Sequence, residues 1–150
     1  MALRSLPVLL LAVACAGAAV EETEKKIKMT DLPAAVQNAV KEQSKSAKLR
    51  GLSSEVKDGK TLYEAELRVN GKTRDVTFDE TGKVVSVEQE VEISTAPHAV
   101  REALLKMAGK GKILRFEKVT AGDQVYYEAD IRKDGKETEV KLDPAGRSIG

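Results

Sequence analysis

The side chains that could do acid–base chemistry in this 150-residue chain are carboxylates in its middle third. The acidic residues that alternate there with basic ones are Glu64, Glu66, Asp75 and Asp79. Catalysis by two carboxylates needs both in one cleft, with pKa values held apart by their surroundings. Alternation with Arg68, Lys72 and Arg74 is instead typical of opposite charges that pair across a solvent-facing sheet. We therefore predict no catalytic pair and expect that the chain is not an enzyme.

Histidine, the usual general base and metal ligand, occurs once, as His98 in the first turn of a predicted helix. Its surroundings in the sequence have no spacing that is typical of a histidine metal site. The chain also contains neither a glycine-rich phosphate loop nor a nucleophile elbow. We expect His98 to be an exposed helix residue, and we predict no catalytic, cofactor-binding or metal-ligating residue.

Residues 1–19 have the features of an export signal. A positive residue is followed by the apolar stretch Leu6–Ala14 and by small residues, before the charged stretch Glu21–Met29. Cys15, the only cysteine, leaves two hypotheses open: a signal peptide cleaved beyond Cys15, or a lipoprotein signal in which Cys15 is lipidated. Both place the protein outside the cytoplasm, as a periplasmic, secreted or lipid-anchored protein. Residues 20–29 are predicted to be a charged linker, with a solvated tether favoured over a first helical turn.

Charge and cysteine content argue against several other classes of function. The chain has 25 basic and 24 acidic residues, a formal charge of +1, whereas a nucleic-acid-binding protein needs a basic face. The part after the signal has no cysteine, which excludes a disulfide framework and a thiolate nucleophile. The apolar stretch of the signal is too short to cross a bilayer, so we expect no membrane span.

The chain contains an internal duplication with a period of 64 residues. Residues 33–82 align without a gap on residues 97–146, with 14 identities in 50 positions. The longest shared run is Tyr63-Glu64-Ala65, which aligns on Tyr127-Glu128-Ala129. The sequence therefore predicts two copies of one structural unit, at residues 30–93 and 94–150.

Each copy begins with a predicted helix that has an early proline and one apolar stripe. In the first copy Thr30 or Asp31 is expected to cap this helix, with Pro33 in its first turn. Dipeptides typical of two-residue hairpins follow: Asp58-Gly59, Asn70-Gly71, Gly122-Asp123 and Asp134-Gly135. The predicted fold class is α+β, with two tandem repeats of one helix packed on an antiparallel β-meander of three to four strands. The last strand of the second repeat is expected to be a stub.

Strict alternation predicts which side chains of each copy face solvent. Apolar residues that include Ala65 and Ala129 are predicted to face the helices. The predicted partner-binding residues lie on the other face, where tyrosine and arginine are frequent anchors of protein interfaces. They are Leu62, Glu64, Glu66 and Arg68 of the first copy and Tyr126, Glu128, Asp130 and Arg132 of the second.

The order of these motifs resembles the PepSY-like repeat. The shared features are the helix with an early proline, Tyr-Glu-Ala, Gly-Lys, a Val-x-Phe/Leu-Asp strand and a final Gly-Lys/Arg. The resemblance covers about Thr30–Gly150 and implies a fold related to tandem-repeat β-lactamase inhibitor proteins and to PepSY domains. It also implies an extracytoplasmic binding or inhibitory module, because PepSY domains occur in peptidase propeptides and in envelope proteins, where a role in restraining peptidases has been proposed.

We therefore expect an exported, non-catalytic binding module of the cell envelope that recognises an extracytoplasmic protein partner. Inhibition of a peptidase or another hydrolase is the specific form of this hypothesis. Two alternatives stay open: a protein that binds a small ligand or cation through its acidic sheet face, and a structural lipoprotein without a discrete ligand.

Overall fold

The computed structural model describes residues 24–149, which form two α-helices and eight β-strands. A single turn of 3-10 helix precedes each α-helix, at Met29–Asp31 and at Ile93–Thr95. In chain order the elements are β1 (Lys25–Lys26), α1 (Ala34–Gln43), β2 (Lys48–Lys57), β3 (Lys60–Val69), β4 (Lys72–Phe78), β5 (Val84–Glu90), α2 (His98–Ala108), β6 (Lys112–Ala121), β7 (Gln124–Lys133) and β8 (Lys136–Leu142).

The eight strands form one antiparallel sheet in chain order, from β1 to β8. The two halves join through β5 and β6, which pair from Ser86 opposite Ala121 to Glu90 opposite Glu117. After β8 a single bridge between Leu142 and Ser148 takes the place of a further strand. The predicted α+β arrangement of two helix-plus-meander halves is confirmed, and the halves share a continuous sheet.

The hairpin turns have the backbone geometry that their dipeptides predict. Asp58, Asn70 and Asp134 have φ values of 50°, 50° and 52°, and the glycine after each is also positive. The fourth turn differs, because Gly122 has a φ of 58° whereas Asp123 has no positive φ. A positive φ at the first central position alone is typical of a type II′ turn. These short turns fix the register of each hairpin.

The first helix begins later than the sequence predicted. α1 begins at Ala34, and Pro33 is its N-cap with an extended ψ of 146°. Leu32 is extended as well, because a proline disfavours helical geometry in the residue before it. The expected capping residue Asp31 lies in the separate 3-10 turn, where its carboxylate accepts a hydrogen bond from the backbone N–H of Lys28 (2.8 Å).

The segment predicted as a solvated tether is partly ordered against the sheet. Lys25 and Lys26 form β1, which pairs with Ser54 and Ser53 of β2. Ile27 follows and packs against the core of the first half, which explains why the chain stays on the sheet there. Of the predicted linker, residues 20–23 lie outside the described residues, as does the predicted signal 1–19.

Each helix covers its own apolar core on the same side of the sheet. α1 buries Val36 and Val40 against Leu67 and Phe78, whereas α2 belongs to a second core. The buried members of that second core are Ala96, Val100, Leu104, Ala108, Phe116, Tyr127, Ala129, Ile131 and Leu142. Each helix is short, so its stability depends on this packing.

Two glycines allow a turn to lie against the start of each helix. A Cβ atom on Gly82 would lie 2.7 Å from the carbonyl oxygen of Ala35, and one on Gly146 would lie 2.5 Å from that of Ala99. Gly59 has a similar φ (73° against 80° at Gly82) but open space around it. We expect Gly59→Ala to lower the free energy of unfolding by about 1 kcal/mol, the cost of a positive φ.

Gly82→Ala is expected to lower the free energy of unfolding by about 1 kcal/mol more than Gly59→Ala does. The additional loss comes from the close contact of the new Cβ atom with the helix backbone. Urea unfolding of the two variants measures this difference. Equal losses would contradict the close approach of turn and helix.

Candidate functional site

The sheet face without helices, called the polar face below, contains the candidate site. Its residues alternate along β3–β8 with residues that belong to the two cores. The sequence-predicted partner-binding residues all lie on it. Its acidic members are Glu64, Glu66, Asp75, Glu88, Glu117, Glu128 and Asp130, its basic members include Arg68, Arg115, Arg132 and Lys141, and its apolar members include Leu62, Val119 and Tyr126.

The expectation that this face is freely solvated is wrong at its centre. Glu117 and Glu128 are only 1% and 4% exposed. They lie opposite each other on β6 and β7, which have neighbouring strands on both sides. Side chains of those strands cover the two carboxylates, so the middle of the polar face is a partly desolvated acidic surface.

The expectation that the carboxylates of the first half pair with opposite charges across strands is also wrong. Glu66 lies opposite Asp75, and Asp75 lies opposite Glu88, so three strands place acidic side chains next to one another. Glu64 lies opposite Thr77, a neutral residue. No ion pair within residues 24–149 involves Glu64, Glu66 or Asp75.

The basic residues that were expected to pair with these carboxylates bind other groups. Arg68 donates to the carbonyl oxygen of Gly71 (2.8 Å), Arg74 to the Gln43 side chain (3.0 Å) and Lys72 to Glu92 (2.6 Å). Asp79 accepts hydrogen bonds from the backbone N–H groups of its own turn. The first half of the polar face is therefore left with an excess of carboxylates.

In the second half, cations compensate the corresponding carboxylates. The Lys141 ammonium lies 2.6 Å from a carboxylate oxygen of Glu128. The Arg115 guanidinium lies 3.1 Å from Asp130 and 3.5 Å from Glu117. Charge-assisted contacts of this kind compensate the loss of water around a buried carboxylate.

Burial and mutual repulsion change the proton affinity of the first-half carboxylates. Burial, together with the nearby negative charges of Asp75, Glu88, Glu24 and Glu66, raises the pKa of Glu64 to about 8. Burial and the charges of Glu88 and Glu66 raise the pKa of Asp75 to about 6, although Arg115 and Arg68 partly oppose the shift. Both effects disfavour the ionised form of these carboxyl groups. Binding of a proton or a cation therefore stabilises this surface.

The central carboxylates of the polar face behave in the same way. Burial and the charges of Glu128 and Glu117 raise the pKa of Glu88 to about 7, although Arg115 and Lys141 partly oppose the shift. Burial also raises the pKa of Glu117 to about 7, although the Arg115 guanidinium partly opposes the shift. A group that titrates near neutral pH makes the charge of this face sensitive to its surroundings.

Two sets of three carboxylates have oxygens within 4.8 Å of one another and could hold a cation. They are Glu24, Glu64 and Glu66, and Glu88, Glu117 and Glu128. Carboxylate oxygens are ligands for hard divalent cations, which take six to eight oxygens or a near-octahedral set. In the second set Glu128 already binds Lys141, whereas no ammonium or guanidinium group contacts the first set within the described part of the chain.

Tyr126 is the aromatic side chain of the polar face. It lies opposite the buried Val119 on β6, and its ring is 6.0 Å from the Lys141 ammonium. Burial raises the pKa of its hydroxyl, and Glu128 adds to the increase. Leu62, at the corresponding place in the first half, is also partly buried. The two side chains give the polar face apolar contact area beside its charges.

The other predicted residues lie apart from these carboxylates or outside the described chain. His98 is exposed on α2, 3.5 Å from the carboxylate of Glu102. Arg132 is exposed and donates hydrogen bonds to Glu137 within the second half. Cys15 lies outside the described residues. In the described part of the chain, neither helix is long and apolar enough to cross a membrane.

Neither a family model nor a curated protein matches the chain in sequence. Solved structures match it. A candidate periplasmic protein of Bacteroides eggerthii is 20% identical over 79% of this chain and 86% of its own, with a TM-score of 0.65. A DUF2874 family protein of Bacteroides uniformis is 22% identical over 79% and 86%, with a TM-score of 0.62. A BLIP-like protein of Bacteroides fragilis is 19% identical over 77% and 82%, with a TM-score of 0.56. The chain has the PepSY-like fold of these proteins.

Proposed function

We propose that this chain is a non-catalytic, extracytoplasmic binding module whose polar face recognises a protein with exposed lysine or arginine side chains. The observation that carries the proposal is the group of partly buried carboxylates on β3, β4 and β5, which no cation of residues 24–149 contacts. A basic surface that docks on them replaces lost water with opposite charge. Electrostatic complementarity of this kind gives an interface specificity and a fast association rate.

The small number of aromatic side chains on the polar face also favours charge as the basis of recognition. Tyr63, Phe78, Phe116 and Tyr127 pack in the two cores, so Tyr126 is left to serve as an aromatic anchor. Aromatic anchors dominate many tight interfaces. We therefore propose that affinity comes chiefly from the carboxylates and that binding weakens as salt concentration rises.

The predicted export signal and the fold neighbours support a proposal for where and how this module acts. One neighbour is a candidate periplasmic protein, and another is a BLIP-like protein. We propose an envelope location and, as the specific form of the function, inhibition or regulation of a peptidase or another hydrolase. The second candidate function is binding of a divalent cation, which the Glu24, Glu64 and Glu66 cluster favours.

The test is crosslinked capture from an envelope extract of the host, with the exported chain as bait. A second bait carries Glu64→Gln, Asp75→Asn and Glu88→Gln, which replace three ionisable groups of the polar face with neutral amides and keep the shape of each side chain. We expect the unaltered bait to retain one partner with a basic surface patch and the second bait to lose it.

A third bait controls for net charge. It carries Glu42→Gln, Glu80→Gln and Glu102→Gln, three substitutions at exposed positions outside the polar face. We expect this bait to keep the partner. Loss of the partner from both altered baits would mean that net charge alone drives capture, and retention by both would exclude the polar face. A calorimetric titration with Ca²⁺ that releases heat only with the unaltered bait and the control bait would favour the second candidate function.

A further inference from the structure

The duplication allows each position of the polar face to be compared with its counterpart 64 residues away. Glu64 lies opposite Thr77, and its counterpart Glu128 lies opposite Lys141. The four residues occupy the same places in the two hairpins. The first half therefore has a carboxylate and a neutral hydroxyl where the second half has a carboxylate and a cation.

The same difference recurs at a second pair of positions. Gly51 lies opposite Glu66 beside a register shift in β2, and its counterpart Arg115 lies opposite Asp130 beside the corresponding shift in β6. A Cβ atom on Gly51 would lie 3.0 Å from the Glu66 carboxyl group, so that carboxyl group lies directly over the strand. The acidic position is present in both halves, but the basic one is present only in the second.

The second half shows what these positions bind. Glu128 and Asp130 each hold a nitrogen cation on a side chain, at 2.6 Å from Lys141 and at 3.1 Å from Arg115. This contact is an observation separate from the acidic cluster itself, because it shows the same framework positions binding an ammonium and a guanidinium group. In the first half Glu64 and Glu66 place carboxylates at the corresponding positions, and Glu24 and Asp75 increase the negative charge around them.

We propose that a lysine or arginine side chain of the protein partner docks at Glu64 and Glu66 and supplies the cation that Lys141 and Arg115 supply in the second half. The inference rests on the proposed function and narrows it to the first repeat and to one chemical class of contact. A nitrogen cation is favoured over a metal ion because it is the ligand that the corresponding positions already hold. It also needs fewer oxygen ligands than Ca²⁺ does.

The first test supplies the missing cation from within the chain. Thr77→Lys copies Lys141, and Thr77→Met adds a side chain of similar length without charge. The probe is a fluorescent hexalysine peptide, and its affinity for the full exported chain is measured by anisotropy at low salt and at a pH above the Glu64 pKa of about 8, where this carboxylate is ionised. We expect Thr77→Lys to weaken hexalysine binding about tenfold, the effect of about 1.4 kcal/mol, and Thr77→Met to weaken it less than twofold.

A second variant keeps the inference testable if Thr77→Lys does not fold. Glu64→Gln is expected to weaken hexalysine binding by a similar factor, whereas Glu42→Gln, at an exposed helix position, is expected to leave it unchanged. One outcome would overturn this inference and leave the proposed function intact. Hexalysine binding would be weakened by the combined Glu64→Gln, Asp75→Asn and Glu88→Gln substitutions but unchanged by Thr77→Lys and by Glu64→Gln alone. If none of these variants changes binding, both fail. Displacement of hexalysine by Ca²⁺ at equal charge concentration would overturn the inference in favour of a metal site.

Discussion

Replacing Lys141 with methionine is expected to lower the free energy of unfolding by about 3 kcal/mol at pH 8, because it leaves the buried carboxylate of Glu128 without its cation. The Lys141 ammonium lies 2.6 Å from Glu128 and 3.3 Å from Glu139, and Glu128 is 4% exposed. Methionine keeps most of the length of the lysine side chain without its charge, so the loss reports chiefly the charge. Urea unfolding at pH 8 measures it.

Two further variants isolate this ion pair. Lys136→Met changes an exposed lysine of the same strand, and we expect a loss within about 0.5 kcal/mol. Adding Glu128→Gln to Lys141→Met removes the unpaired charge and is expected to recover most of the stability. A loss of less than about 1 kcal/mol in Lys141→Met would mean that the polar face is more hydrated around Glu128 than its burial indicates.

Stability is expected to fall by about 3 kcal/mol, or about 10 °C in Tm, between pH 5.5 and pH 8. The pKa of Glu64 is raised to about 8 by burial and by nearby carboxylates, and that of Glu88 to about 7 by burial. Between the unfolded and the folded pKa values, the folded chain binds more protons than the unfolded chain does. The stabilisation is therefore complete below about pH 4.5 and is lost as pH rises toward 8.

A second group of carboxylates sets the acid limit of this range. Hydrogen bonds from the Thr81 side chain and from the Arg147 backbone hold the pKa of Asp79 and of Asp143 below the usual value. These groups stabilise the fold above the unfolded pKa and stop doing so as pH falls through their folded pKa. Stability is thus expected to be greatest near pH 5.

The matched variants for the pH profile are Glu64→Gln and Glu80→Gln. Glu64→Gln is expected to flatten the fall in Tm between pH 5.5 and pH 8, because an amide does not titrate. Glu80→Gln, in an exposed turn outside the polar face, is expected to leave the profile unchanged. A profile that rises toward pH 8 in the unaltered chain would contradict the assignment of a partly desolvated acidic surface.

Local signals predicted most of the fold. Dipeptides such as Asn70-Gly71 located the hairpins, and alternation placed Ala65 and Leu67 on the helix side. The period of 64 residues then carried each assignment into the second copy. These signals do not predict the pairing of β5 with β6. The register of this pair depends on contacts between the halves, and no two-residue turn fixes it.

The composition of the polar face was only partly predicted. Alternating charge suggested cross-strand ion pairs. A two-residue turn at Asn70-Gly71, however, places Glu66 opposite Asp75. The sequence therefore already contained the register that prevents an ion pair at this position. The contrast between Thr77 and Lys141 was also visible in the aligned copies. The burial of Glu117 was not visible in the sequence, because it depends on side chains from strands that are distant in sequence.

The central claim is that carboxylates of the first half contact basic side chains of a partner protein. A carbodiimide joins a carboxylate to an amine only where the two groups touch, so zero-length crosslinking of the captured complex, read by mass spectrometry, tests this claim most directly. We predict crosslinks from Glu64 or Glu66 to a lysine of the partner, and their loss in Thr77→Lys. Crosslinks confined to the helix side of the sheet, or crosslinks from Glu64 to the partner that persist in Thr77→Lys, would contradict it.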